Sequence, residues 1–251
     1  MSWLKQLQSD RDLGVKRLAA LLDPDDLPTG REWVQFLDRL EASHVTDVFV
    51  GGSLLTNRQV ADVLKLLRDR FEGRVTIFPG APDQVVGGAD AVLFLSLISG
   101  RNPDFLIGRH VESAMKIRNL GLDVIPTGYM LMGNGMTTAA YMSQTLPIPT
   151  GKPEIAVATA VAGEMLGLKT MFLDAGSGAE QSVPVAAIAG IREKTSCPII
   201  VGGGIKDAAS IRAAWHAGAD LVVIGEAIEK QPHDLSWLPS PKEFAFSDPR
   251  I

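Results

Sequence analysis

Short apolar runs rich in β-branched residues alternate along this chain with longer segments of helical period, and this alternation constrains the fold most strongly. A strand that is apolar on both faces belongs in a parallel sheet whose two faces are covered by helices. Crossover helices are predicted over residues 31–43, 57–70, 104–119, 154–166, 183–194 and 207–216. Eight strands are expected to begin near Leu18, Asp47, Val75, Ala91, Asp123, Thr170, Pro198 and Leu221.

Eight βα units in 251 residues predict an α/β fold with one closed (β/α)₈ TIM barrel over residues 1–251. The alternative is an open doubly wound sheet. That fold often binds a dinucleotide at a GxGxxG turn after its first strand, and this chain lacks such a turn. The closed barrel is therefore the preferred prediction.

Two segments depart from an ideal barrel. Only the stretch from Ala81 to Asp90 separates the third strand from the fourth, and Pro82, Gly87 and Gly88 are poor helix formers, so the third helix is expected to be short or missing. The segment from Met130 to Pro153 is much longer than the roughly 2 to 6 residues of a usual βα loop. A loop of that length in a compact barrel predicts a lid or a binding loop.

Composition excludes several classes of function and of location. The net charge is −5 and the 24 basic residues are scattered, so no nucleic-acid surface is predicted. The single cysteine, Cys197, lies in an apolar run and is expected to be buried, which excludes a disulfide framework and favours a reducing compartment. Because no leader and no apolar stretch approaching about 18 residues is present, we expect a cytoplasmic protein without an integral membrane segment.

Glycines follow the last predicted strands, where the active site of a barrel is built. Gly202, Gly203 and Gly204 follow the seventh strand and Gly225 follows the eighth. Glycines let the backbone approach a ligand, and their N–H groups together with a helix N-terminus bind phosphate. A helix-entry turn is the plainer alternative for the glycine triplet. The glycines at two neighbouring strand ends favour a phosphate site.

Carboxylates stand at two other strand ends. Asp23 either caps a helix ahead of Pro24 or, with Ser53 on the adjacent strand, supplies hard oxygen ligands to Mg²⁺, and the spacing does not decide between these. Asp174 either caps the glycine-rich turn that follows it or faces the substrate as a base, and the second role is preferred. Asp25 and Asp26 are expected to cap the turn or the next helix. No catalytic role is assigned to the histidines, because none stands at a strand end: His44, His110, His216 and His233.

Several of these motifs, in this order and at these strand ends, resemble the geranylgeranylglyceryl phosphate synthase family. The resemblance covers about residues 13 to 230 and is closest to the larger of the family's two groups, which has archaeal and some bacterial members. It is carried by the runs Leu22–Asp25, Gly51–Ser53, Arg101–Asp104, Phe172–Ala179 and Val201–Ile205.

The resemblance implies transfer of a prenyl group from geranylgeranyl diphosphate to the 3-hydroxyl of sn-glycerol 1-phosphate, with release of diphosphate and formation of an ether-lipid precursor. It also implies that Asp23 and Ser53 bind Mg²⁺, and that the protein forms dimers or larger homo-oligomers. By the family's pattern, the glycerol phosphate binds along Phe172, Leu173, Asp174, Ala175, Gly176, Ser177, Gly178, Gly203, Gly204, Gly225 and Glu226.

The chain departs from the family's pattern at three of these positions. The family usually has Tyr and Glu where this chain has Phe172 and Asp174, and commonly has Asn or Thr where it has Glu226. The prenyl chain requires an apolar groove across the barrel top. The missing third helix and the long loop, with Met130, Met132, Met136 and Met142, leave room for one, although such methionines also serve as ordinary core filling.

Two other readings of the sequence stay open. One is a different phosphate-binding barrel, such as a sugar-phosphate isomerase or an aldolase, although an aldolase would need a lysine at a strand end and none is found there. The other is a catalytically silent metabolite-binding barrel, which the substitutions at Asp174 and Glu226 favour and the retained Asp23 and Ser53 oppose.

Overall fold

The computed structural model describes residues 2–57 and 59–244, and its eight strands form one closed parallel barrel. Each strand pairs with the next along the chain, and the register of Ala20 with Ile224 closes the last strand onto the first. The closed barrel is thus confirmed and the open sheet is excluded. The strands are β1 Arg17–Leu22, β2 Asp47–Val50, β3 Arg74–Ile77, β4 Ala91–Leu97, β5 Asp123–Leu131, β6 Thr170–Asp174, β7 Ile199–Gly202 and β8 Leu221–Ile224.

All six predicted crossover helices form, with ends that differ from the prediction by a few residues. A π-helical turn, Asp104–Gly108, opens the helix after β4. Asp207 caps the helix after β7, where it and Ser210 form a reciprocal capping box. The described helices are α1 Trp3–Asp12, α2 Gly30–Ala42, α3 Val60–Arg68, α4 Arg109–Leu120, α5 Thr138–Ser143, α6 Pro153–Met165, α7 Val185–Lys194, α8 Ala208–His216 and α9 Glu226–Lys230.

Between β3 and β4 the chain forms only a 3₁₀ turn, Pro82–Gln84, as the short spacing predicted. Between β5 and α6 the structure is more regular than the sequence suggested. β5 continues to Leu131, the short helix α5 follows, and a parallel bridge joins Met132 to Ile148. The predicted long loop is therefore a folded insertion across the barrel mouth. Met130 and Met132 are buried core residues, whereas Met136 is exposed.

Two apolar layers fill the fold. Alternate strand residues point into the barrel, where Phe49 and Phe172 are fully buried, and the others pack against the surrounding helices. Cys197 is buried in the outer layer, as predicted, and burial raises the pKa of its thiol to about 12, so the thiol stays protonated. No helix in the described part of the chain is long and apolar enough to cross a membrane.

Helix α1, which the sequence analysis did not identify, closes the N-terminal end of the barrel. Trp3 is 1% exposed and packs against Phe49 inside the barrel. Its indole Nε1 donates to Asp47 at 2.8 Å, and its backbone N–H donates to Asp123 at 2.6 Å. Arg17 also pairs with Asp47, at 2.8 Å. A hydrogen-bonded, ion-paired floor thus lies beneath the barrel, opposite the end where the site residues stand.

We expect Trp3→Ala to lower the free energy of unfolding by about 3–5 kcal/mol, since it empties a large buried volume. Trp3→Phe keeps most of the packing and loses one hydrogen bond to a carboxylate, at a cost of about 1.5–3 kcal/mol. Urea denaturation measures both. Leu13→Ala, at an exposed position just after α1, is the control, with a change within about 0.5 kcal/mol. If Trp3→Ala lowered the free energy of unfolding no more than Leu13→Ala does, the contacts of Trp3 at the N-terminal end of the barrel would contribute little to stability.

Candidate active site

One cleft opens at the C-terminal ends of the strands and brings most of the predicted site residues together. Its lining includes Asp23 and Ser53, which follow β1 and β2, and the loops after β6, β7 and β8, the last of which adjoins β1. This is the end of a barrel at which active sites form. Within the described residues, Arg109 and His110 are the basic side chains of this lining, and no lysine belongs to it.

The loops after β6 and β7 form a backbone-lined pocket. Gly203 and Gly204 have φ values of +76° and +65°, which favour glycine. A methyl group on Gly203 would lie 2.5 Å from Oδ1 of Asp174 and 2.5 Å from the Gly176 nitrogen, so the two loops touch. The N–H groups of Gly203 and Gly204 donate to no acceptor in the described residues. Free N–H groups in such turns are suited to an anion.

Asp174 lies at the end of β6, buried at the edge of this pocket. Its Oδ1 accepts the Gly176 N–H at 2.7 Å, and its Oδ2 accepts the hydroxyl of Tyr129 from β5. Asp174 therefore caps the glycine turn and also lines the cleft, so the two roles considered from sequence coexist. Burial raises the pKa of Asp174, although the two hydrogen bonds oppose that shift.

Of the residues next to Asp174 in and after β6, some line the cleft and others are buried in the core. The ring of Phe172 stacks on Phe78 with centroids 5.1 Å apart and also meets Tyr129, and it lines the floor of the cleft. Leu173 and Ala175 belong to the outer apolar layer and do not line the cleft. Their side chains are therefore not available to a ligand. Gly176, Ser177 and Gly178 do line it.

Asp23 has the environment of a cation ligand. Its carboxylate lies against Gly52, since a methyl group there would be 2.1 Å from Oδ2, and Ser53 follows directly in the cleft lining. The Asp25 N–H donates to Oδ1 of Asp23 at 3.1 Å, so Asp23 also caps its own turn. Burial and the charges of Asp26 and Asp25 raise the pKa of Asp23 to about 6, although this hydrogen bond opposes the shift. No cationic side chain within 2–57 and 59–244 forms a salt bridge with it.

These donors fit Mg²⁺. Among the described residues no three His, Cys, Asp or Glu side chains form a metal cage. Mg²⁺ does not need one, because proteins usually hold it through one or two carboxylates together with substrate phosphates and water. Asp23 and Ser53 offer a carboxylate and a hydroxyl, which are hard oxygen ligands. A half-buried carboxylate without a salt-bridge partner also gains from a cation nearby.

The other acidic residues near Asp23 have separate tasks. Asp25 anchors the loop after β2 by accepting the Thr56 N–H at 2.6 Å and the Asn57 N–H at 3.0 Å, so it caps a neighbouring loop and not its own helix. Asp26 lines the cleft. Burial and the nearby Asp26 raise the pKa of Glu229, in α9, to about 7.

Glu226 lies beside the predicted phosphate site, where a carboxylate would repel the ligand. Its side chain pairs with Lys230 one turn along α9. The carboxylate is thereby drawn toward a cation on its own helix. Gly225, at the start of α9, has φ −115° and lines the cleft.

The cleft continues from the barrel mouth into an apolar groove, at the place where no crossover helix follows β3. Pro82 and Val85 of the 3₁₀ segment line one side, and Phe94 of β4 lines another. The inner face of α4 contributes His110, Ser113 and Ile117, so the groove descends roughly 10 Å along that helix at 1.5 Å per residue. His110, to which no catalytic role was assigned from sequence, is buried against Phe94, and burial lowers the pKa of its imidazole.

Helix α5 covers the upper end of this groove. Ala139, Met142 and Ser143 of α5 line the cleft. The amide of Asn102 donates to the Ser143 carbonyl at 2.9 Å, and a methyl group on Gly100 would lie 2.6 Å from Oγ1 of Thr145. The segment after β4 thus holds the insertion after β5 in place.

Three contributors to the site were not identified from sequence. Tyr129 lies in β5, which also contains Asp123 and Thr127, so nothing in the sequence singled out its contact with Asp174. Gln84 lies in a segment predicted as irregular, and His110 lies on a helix.

The fold is a (β/α)₈ barrel, and its cleft joins a glycine-lined pocket suited to an anion to an apolar groove. The family model named PcrB family matches residues 12–237 of this chain. A geranylgeranylglyceryl phosphate synthase of Spirosoma linguale is 46% identical over 227 residues, which are 90% of each chain. The chain belongs to this family.

Solved structures agree on the fold. Wild-type geranylgeranylglyceryl phosphate synthase of Thermoplasma volcanium has a TM-score of 0.86 and 27% identity, with 99% of each chain covered. The enzyme of Thermoplasma acidophilum, in complex with its substrate sn-glycerol-1-phosphate, has a TM-score of 0.84 and 24% identity, covering 98% of this chain and 96% of that one.

The phosphate pocket is tested by a matched pair of glycine variants. Gly178 lines the cleft and Gly167 does not, yet both have positive φ and no heavy atom within 4 Å of an added Cβ. Gly178→Ala and Gly167→Ala should each cost about 1–2 kcal/mol of stability through backbone strain. Only Gly178→Ala should weaken the binding of inorganic phosphate, measured by calorimetry. Equal affinities in the two variants would place the anion elsewhere.

Proposed function

We propose that this protein transfers the geranylgeranyl group of geranylgeranyl diphosphate to the 3-hydroxyl of sn-glycerol 1-phosphate. One observation carries the proposal: a single cleft joins a glycine-lined anion pocket to an apolar groove. Such a cleft suits a reaction between a small phosphate ester and a long hydrocarbon chain. The name of the Spirosoma relative and the ligand of the Thermoplasma acidophilum enzyme support the same reaction.

The acceptor's phosphate would bind at the N–H groups of the glycines that follow β6, β7 and β8. Its glycerol part would then lie toward Asp174 and the ring of Phe172, both of which line the cleft. The prenyl chain of the donor would follow the groove beside α4, where burial of apolar surface favours binding.

Asp23 and Ser53, which follow β1 and β2, would hold Mg²⁺ where it could meet the donor's diphosphate. Bound Mg²⁺ would neutralise the charge of the departing diphosphate. The protein's own residues would hold the acceptor's hydroxyl against the first carbon of the donor and keep water out of the site.

In this proposal Asp174 would accept the proton. In the transfer, the bond from the donor's first carbon to the diphosphate oxygen breaks with both electrons leaving on diphosphate. The acceptor oxygen forms the new carbon–oxygen bond, and its proton passes to the Asp174 carboxylate. Tyr129 and Gly176 use one lone pair on each carboxylate oxygen, which leaves others for the substrate.

The direct test is incubation of the protein with labelled geranylgeranyl diphosphate, Mg²⁺ and each enantiomer of glycerol phosphate. We expect ether product from sn-glycerol 1-phosphate, little from its enantiomer, and loss of most turnover in Asp23→Asn. Folding of that variant is checked by circular dichroism. No product with either enantiomer would favour the metabolite-binding or isomerase alternatives, and undiminished turnover of Asp23→Asn at limiting Mg²⁺ would reject Asp23 as a ligand.

Asp174→Asn should lower kcat by about 10²–10⁴-fold, with a smaller change in KM for the acceptor, because the amide keeps the size but cannot take the proton. Since burial raises the pKa of Asp174, the acid limb of kcat/KM should fall at a higher pH than an ordinary aspartate would give. Asp174→Glu should remain active. An unchanged kcat with raised KM in Asp174→Asn would make Asp174 a substrate-positioning group.

Association into homo-oligomers is part of the proposal. Large apolar side chains are strongly exposed on α4 and near α5 and α6, in a pattern that marks interaction surfaces: Val111, Met115, Tyr141, Leu146, Met165 and Leu166. Light scattering of the purified protein measures the assembly size. Location in the cytoplasm stays a prediction, supported by the buried thiol of Cys197.

A further inference from the structure

Gln84 makes an unusual set of hydrogen bonds at the edge of the mouth. It ends the 3₁₀ turn that replaces the third helix, and its side chain is 5% exposed. Its Nε2 donates to the Gly52 carbonyl at 2.8 Å, and its Oε1 accepts the Gly80 N–H at 3.0 Å. A longer contact of 3.5 Å joins the same oxygen to the Gly52 N–H.

These bonds continue the pairing of β2 with β3 beyond the point where the strands end. The last strand-like bond runs from the Phe78 N–H to the Val50 carbonyl, at 2.9 Å. Beyond this bond, the backbone at Gly80 lies too close to Gly52 for a side chain to fit between them. A methyl group on Gly80 would lie 2.3 Å from the Gly52 carbonyl oxygen. One glutamine side chain therefore joins the two strand ends at Gly52 and Gly80.

Gly52 lies between the two oxygen ligands assigned above. The Asp23 carboxylate rests against its α-carbon, and Ser53 is the next residue. Any shift of the Gly52 peptide therefore changes the separation of Asp23 and Ser53. A group that fixes this peptide fixes both ligands.

We propose that Gln84 is a positioning residue, which holds Gly52 and Ser53 against Asp23 so that the two oxygen ligands are preorganised for a divalent cation. The proposal rests on the proposed function, in which Asp23 and Ser53 bind Mg²⁺. Both amide atoms are required: a donor for the Gly52 carbonyl and an acceptor for the Gly80 N–H. Methionine offers neither, and asparagine is one methylene too short to reach both.

The test measures Mn²⁺ binding by electron paramagnetic resonance, in the presence of inorganic diphosphate. Groups that orient metal ligands are typically worth 10–100-fold in metal affinity. We expect Gln84→Met and Gln84→Asn to weaken Mn²⁺ binding by about that factor. Inorganic phosphate, which by the proposed function would bind at the glycine loops, should keep its affinity within about two-fold. The matched control is Gln35→Met, at an exposed position of α2, with no effect.

Three results would overturn the proposal, and only the third would also refute the proposed metal site. Unchanged Mn²⁺ affinity in both Gln84 variants, with Asp23→Asn abolishing binding, would refute the role of Gln84 and leave the metal site intact. Equal loss of Mn²⁺ and phosphate binding, in step with a smaller folded fraction in thermal unfolding, would reduce Gln84 to a general anchor. Mn²⁺ binding that Asp23→Asn leaves unaltered would refute the metal site itself and, with it, the positioning role.

Discussion

The short connection between β3 and β4 is the constraint on which the rest of the site depends. Residues 78–90 cannot return through a full helix, so the barrel is left uncovered beside α4. That gap becomes the apolar groove, and it opens directly into the mouth. The same shortness brings Gln84 close enough to join the ends of β2 and β3. The apolar groove and the Gln84 contacts beside the proposed metal ligands thus both follow from the short connection between β3 and β4.

Local patterns predicted the strands, the helices and the gap because each depends on nearby residues. Apolar runs identified all eight strands. Pro82, Gly87 and Gly88 correctly predicted that the crossover helix between β3 and β4 would be short or missing. Glycines at strand ends indicated the anion pocket for a similar reason. What sequence did not reveal depends on contacts between distant parts of the chain. Trp3 and Asp47 are 44 residues apart, and only the closed barrel brings them together.

Charge is distributed unevenly around the mouth. Asp23, Asp26 and Glu229 crowd one side, where burial and mutual repulsion raise the pKa of Asp23 to about 6 and that of Glu229 to about 7. That side is suited to a cation. The loop after β7 offers an anion the backbone N–H groups of Gly203 and Gly204 and, within the described cleft lining, no lysine. In the proposed reaction, Mg²⁺ would bind one of the two phosphate-bearing ligands and peptide N–H groups would bind the other.

The departures at Phe172 and Asp174 are connected through Tyr129. An aspartate is shorter than the glutamate usual in the family, and Phe172 lacks the hydroxyl that a tyrosine would bring. Tyr129 supplies a hydroxyl from the neighbouring strand, and it holds Oδ2 of Asp174 while packing against the Phe172 ring. With Gly176 on Oδ1, the carboxylate is fixed at two points, so its shorter reach comes with little freedom to turn away. If Asp174 is the base proposed above, its fixed orientation requires the acceptor hydroxyl to approach it. Glycine loops that let a phosphate lie close to the backbone would allow that approach.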